Sequence, residues 1–169
     1  MIETLPKYIL SFVLLVLLQV LLLNNINLTV LDISPFLYIL FILILPFEVP
    51  RWLLLLSGFV LGLTVDIFSD SIGVHAFATV FLAFLRPHVI NLIASRQGYE
   101  IGTQPRLYYY GFLWFLKYTI ILTLFHHFAY FIIETFSFQN FHITLLKIVL
   151  STFFSSVLII LSQYFIFRR

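Results

Sequence analysis

Between Trp52 and Phe68 the chain reads WLLLLSGFVLGLTVDIF, a stretch in which Asp66 is the only ionisable side chain. Wound into a helix rising ~1.5 Å per residue, such a stretch reaches across the hydrocarbon layer of a bilayer, which takes ~20 residues with a lower limit of roughly 17. A chain with several runs of this kind cannot assemble the polar surface that a water-soluble fold needs. The composition agrees, with 62% of the 169 residues hydrophobic and 9% charged. The fold class is therefore an all-α membrane protein. Cysteine is absent, which removes disulfides, thiolate metal sites and thiol nucleophiles from consideration.

Four helices are expected from long apolar windows: about Tyr8 to Leu23, Trp52 to Phe68, Leu107 to Ile133 and Ile143 to Phe167. The lysine-containing start, MIETLPKYIL, is followed by no small-residue cleavage pattern, so the first helix is read as retained. A second, shorter helix is expected in SPFLYILFILILPF, with Ser34 as N-cap, Pro35 at the first helical position and Pro46 at its end. A fourth begins after SDS, capped by Asp70 or Ser71, and should end or kink at Arg86-Pro87. The remainder, PHVINLIASRQG, is expected along the membrane interface. The sum is one six-transmembrane-helix bundle over residues 1–169. An inside N-terminus then puts Lys7, Arg51, Arg86, Arg96, Arg106, Arg168 and Arg169 on the cytoplasmic side and Lys147 near the other. The positive-inside rule favours that threading, with both termini cytoplasmic and the chain multi-pass.

In this frame Asp66 stands near the outer, C-terminal end of its helix, where the macrodipole disfavours an anion. Gly58, Gly62 and Asp66 fall at i, i+4 and i+8 on one stripe, and Gly58 to Gly62 has the GxxxG spacing that lets helices approach closely. Two readings stay open: a packing seam that includes the carboxylate, or a wet interfacial Asp beside incidental glycines. Lys117, counted about ten residues into the fifth helix, falls near mid-membrane. There it must either meet a polar partner, for which Asp66 is a candidate, or snorkel along its stem. His126 and His127 are adjacent and point about 100° apart, and no HExxH occurs, so they are read as interfacial belt residues and no metal is expected. Ser151 and Ser155 repeat the small-xxx-small spacing and are read as helix packing.

The run Pro46, Gly58, Gly62, Asp66, Gly73, and above all the wording LGLTVDIFSDSIGVHAFA, resembles the MreD family of rod-shape-determining membrane proteins. The resemblance covers Leu45 to about Leu85 at motif level and the rest by helix count and length. It implies a cell-envelope scaffold without a reaction of its own, which binds an MreC-like bitopic protein and supports the wall-elongation synthases. It also implies a fold similar to the substrate-binding subunits of energy-coupling-factor vitamin transporters. Gly58, Gly62, Asp66 and Gly73 from the resemblance, with Lys117 from its place in the fifth helix, are the expected residues of helix packing or partner binding. No GxSxG elbow, Walker loop or paired intramembrane aspartate is present, so neither an enzyme nor a cofactor is expected, and nucleic acid is no expected partner. The rival from another class is a vitamin-binding transporter subunit. Against it stands YILSFVLLVLLQVLLL, which has no Ala or Gly with which to build the small-residue docking face such subunits present.

Overall fold

A computed structural model describes residues 5–25, 33–94, 98–100, 102–136 and 141–166. These residues form helices α1 (Leu5–Leu17), α2 (Leu40–Leu43), α3 (Arg51–Ser69), α4 (Val74–Leu92), α5 (Leu107–Tyr110), α6 (Phe112–Thr135) and α7 (Phe141–Ile166). Five spans are long and apolar enough to cross a membrane: Leu5–Asn25, Arg51–Ser69, Val74–Leu92, Phe112–Thr135 and Phe141–Phe165. The chain is thus a multi-pass, all-helical membrane protein. Helix α3 packs on α4, α4 on α6, and α6 on α7. Arg96, Arg168 and Arg169 lie outside the described residues, as does Phe167.

The expected second helix is the main departure. Within residues 34–46 only Leu40–Leu43 is α-helical, and the chain before it is irregular. Almost every side chain from Phe36 to Leu45 is nonetheless buried. A buried non-helical backbone must find hydrogen-bond partners elsewhere, because lipid offers none. Here the surrounding helices supply them. Ser34 N–H donates to Ser151 Oγ (3.1 Å) and Phe36 N–H to Ser155 Oγ (2.8 Å). Gln19 accepts from Leu37 N–H at 2.8 Å and donates to the Pro35 carbonyl at 3.1 Å. At the far end of the segment, Tyr118 donates to the Leu43 carbonyl at 2.9 Å, and Arg86 reaches the carbonyls of Leu45 and Pro46.

Two other boundaries move for local reasons. Gly111, at φ 78°, ψ 169°, breaks the expected fifth helix into α5 and α6. Helix α4 does not stop at Arg86-Pro87 but runs through Pro87 to Leu92, so the first part of the expected interfacial segment belongs to the helix. Pro87 withholds one N–H donor from the i to i−4 ladder without ending the helix. Helix α1 passes into a π turn at Leu18–Leu22, which contains Gln19, and then a 3₁₀ turn at Leu23–Asn25. The widened turn presents the Gln19 side chain to the irregular segment.

Candidate functional site

Asp66 is 2% exposed, and its carboxylate reaches across from α3 to the first turn of α4. Oδ1 accepts from His75 N–H (3.0 Å) and Ser71 O–H (2.6 Å) and lies 3.1 Å from His75 Nδ1, while Oδ2 accepts from Ala76 N–H at 2.8 Å. The first amides of any helix lack intrahelical acceptors and carry the positive end of its dipole. Asp66 therefore gains from α4 what the C-terminus of its own helix denies it. This corrects the expectation that Asp70 or Ser71 caps α4. Asp70 instead closes α3 in a left-handed conformation (φ 51°), and the N-cap position falls on Gly73 (φ 77°), which has no side chain to offer.

The glycines explain how a carboxylate on one helix can reach the start of the next. A Cβ on Gly62 would sit 2.5 Å from both the Ala76 Cα and the His75 carbonyl oxygen, closer than real Cβ atoms come. On Gly58 it would sit 3.1 Å from the Ala83 Cβ and the Thr79 carbonyl oxygen. The Gly58, Gly62, Asp66 stripe is thus in backbone-to-backbone contact with α4. The positive φ of Gly73 makes the reversal between the two helices without strain.

Around this seam lies a histidine end of the bundle that the sequence reading missed. His126 and His127 are fully buried, not interfacial. His126 Nε2 is 2.9 Å from the Tyr38 hydroxyl, and His127 Nε2 is 3.1 Å from Ser155 Oγ and 3.3 Å from the Ser34 carbonyl. Phe36 stacks on the His127 ring (centroids 5.1 Å, 25°) and meets His75 edge-on at 5.3 Å. The signal that bears on this was the pair Ser151 and Ser155. Ser151 serves the backbone of residue 34, and Ser155 that of residue 36 and the buried imidazole, where the small-xxx-small spacing alone read as bare helix packing. Among the described residues, no group of three His, Asp or Glu side chains is placed to hold a metal ion.

Lys117 does not join this site. It is exposed beside the buried Tyr118, while Asp66 is occupied by Ser71, His75 and Ala76. Because α6 starts at Phe112, Lys117 lies about 7.5 Å from the helix start at ~1.5 Å per residue.

The opposite end of α4 carries the second unforeseen feature. Arg86 is 1% exposed, and its Nε donates to the Tyr118 hydroxyl at 2.9 Å. The Tyr118 hydroxyl in turn donates a hydrogen bond to the Leu43 carbonyl, and Arg86 Nη2 donates to the carbonyls of Leu45 and Pro46. Beside it, Phe47 stacks on Tyr99 (4.3 Å, 17°), whose hydroxyl donates to the Ile90 carbonyl at 2.8 Å. Burial raises the Tyr99 phenol above its ordinary range, so it stays a neutral donor. In comparisons with known proteins, no family model, no curated protein and no solved structure matches this chain.

Proposed function

We propose that the protein is a non-enzymatic, MreD-like scaffold of the cell-elongation machinery in the inner membrane, holding an MreC-like bitopic protein beside the wall synthases. The observation that carries this reading is that four of the five residues of the resemblance, all but Pro46, form one physical unit. Gly58, Gly62 and Asp66 from α3, the turn at Gly73 and the first turn of α4 make a single locked hairpin. A scaffold needs such a fixed frame, and nothing in the hairpin needs a substrate to complete its hydrogen bonds. In this reading residues 33–46 make the second of six crossings, from the His127 level to the Arg86 level, which keeps both termini cytoplasmic and the basic residues inside.

The vitamin-transporter reading is less well supported on two counts. The bundle interior is filled by Phe36 to Leu45, and α1 turns leucines rather than small residues outward, with Leu10 66% exposed. Affinity purification from native membranes is the test. Recovery of a single-pass envelope protein and a wall synthase is the expected result. Recovery of an energy-coupling subunit with a bound vitamin would contradict it. Alkaline-phosphatase activity from a fusion after Arg169 would overturn the topology.

A further inference from the structure

Arg86 forms part of the wall of a cavity of about 330 Å³ at the arginine end of the bundle, together with Phe47, Arg51, Leu54, Asn91 and Tyr99. A guanidinium carries five N–H donors. Those on Nε and Nη2 serve Tyr118, Leu45 and Pro46, and Nη1 enters none of these bonds. All three acceptors are neutral. Among the described residues no carboxylate is ion-paired with Arg86, so a buried positive charge is solvated by dipoles alone. That is an expensive state for a charge at this depth unless an anion completes it.

The same cavity holds further groups suited to an anion. Arg51 is exposed there as the first residue of α3, again with no ion pair among the described residues. The start of α3 has Pro50 at its N-cap and no capping side chain, so its free amides add the positive end of a dipole. The acid next in sequence, Glu48, is exposed and accepts from Gly102 N–H at 2.6 Å. Two cationic groups, the Arg51 fork and the Nη1 of Arg86, favour a tetrahedral, multiply charged oxyanion over a single carboxylate, because separate oxygens can meet each of them. The apolar wall from Phe47 and Leu54 suits the stem that such a group would carry.

We infer that this cavity binds a phosphate group between Arg51 and Arg86, carried by an anionic phospholipid headgroup or by a soluble phosphate. The inference rests on the multi-pass membrane fold and not on the scaffold reading, and its test contains no partner protein, so either can fail alone.

The test is native mass spectrometry of the purified, delipidated full chain in detergent, titrated with phosphatidylglycerol, phosphatidylcholine or inorganic phosphate. Arg86 itself is left intact, since removing it would strip donors from the Leu45 and Pro46 carbonyls. Two variants at exposed cavity residues are used instead, Arg51→Ala and Asn91→Glu. Wild type should bind one phosphatidylglycerol at least about tenfold more tightly than phosphatidylcholine, and each variant should weaken it about fivefold. The unfolding temperature without lipid should stay the same in both variants. Binding of inorganic phosphate that is weakened by both variants, without any lipid preference, would support the site and assign it to a soluble phosphate. Equal retention of phosphatidylglycerol and phosphatidylcholine by wild type and both variants, with no binding of inorganic phosphate, would overturn the proposal.

Discussion

Asp66 and Arg86 lie toward opposite ends of α4, 2% and 1% exposed, and the bundle meets their charges in unlike ways. Asp66 is an anion, and a helix N-terminus supplies free N–H groups wherever one can be brought close, so two amides of α4 and a hydroxyl answer it. Arg86 is a cation and needs free carbonyls, which a regular helix offers only in its last turn. The irregular segment at residues 34–46 exposes such carbonyls in mid-protein, and Arg86 with Tyr118 satisfies those of Leu43, Leu45 and Pro46. The broken segment and the buried arginine thus account for one another. The histidine end meets its carboxylate with helix dipole and hydrogen bonds together, while His126 Nδ1 there has no hydrogen-bond partner among the described residues. The arginine end answers its cation with neutral acceptors, leaves Nη1 outside those bonds and, among the described residues, offers the charge no opposite one.

The largest effect that would break this contrast is at the seam. Gly62→Leu must displace backbone at His75 and Ala76, and a loss of ~3 kcal/mol or more is expected in reversible unfolding in detergent. Asp66→Leu should follow, leaving the His75 and Ala76 amides without acceptors. Asp66→Asn should be milder but still cost about 1–3 kcal/mol, because both carboxylate oxygens accept from backbone N–H groups and either amide orientation sets an NH₂ against a donor. That exceeds the ~0.6 kcal/mol of an average interhelical polar contact. An Asp66→Asn variant with wild-type stability would remove the carboxylate from the list of structural groups and make partner recognition its remaining role.

Gly73→Ala sharpens the comparison between steric and conformational glycines. No atom lies within 4 Å of a Cβ there, so only the left-handed backbone is strained, at about 1–2 kcal/mol. Gly62→Ala should cost more than Gly73→Ala, and the reverse order would contradict the seam. The smallest effect is expected at Lys117. Its exposed position near the start of α6 predicts a change within about 0.5 kcal/mol for Lys117→Leu, measured in the same assay.

The parts of the fold that were legible in the sequence share one property. Helices α3 and α7 lie within one or two residues of their expected bounds, Trp52 to Phe68 against Arg51–Ser69 and Ile143 to Phe167 against Phe141–Ile166. Each is an apolar run long enough that no tertiary partner is needed to identify it. The segment FLYILFILIL is as apolar as they are, but whether its backbone is helical depends on Gln19, Ser151, Ser155, Tyr118 and Arg86, residues up to 119 positions away. Local pattern carries no trace of that. Of the site, the Gly58, Gly62, Asp66 stripe was readable because helical spacing is local. The buried state of His126 and His127 was not, since it comes from the irregular segment and Ser155 covering them. Lys117 was counted from Leu107, whereas the break at Gly111 makes Phe112 the first residue of its helix.

The contrast between the two ends is tested most directly by thermal unfolding of wild type, Gly62→Ala and Arg51→Ala in detergent, each with and without added phosphatidylglycerol. A ligand that binds only the folded chain raises its unfolding temperature in proportion to its affinity for that fold. Gly62→Ala should unfold at a lower temperature than wild type yet keep the full lipid-dependent rise. Arg51→Ala should match wild type without lipid and lose most of the rise. If Gly62→Ala unfolds with wild type, or Arg51→Ala retains the whole lipid response, then the two ends do not divide fold from ligand and the account is wrong.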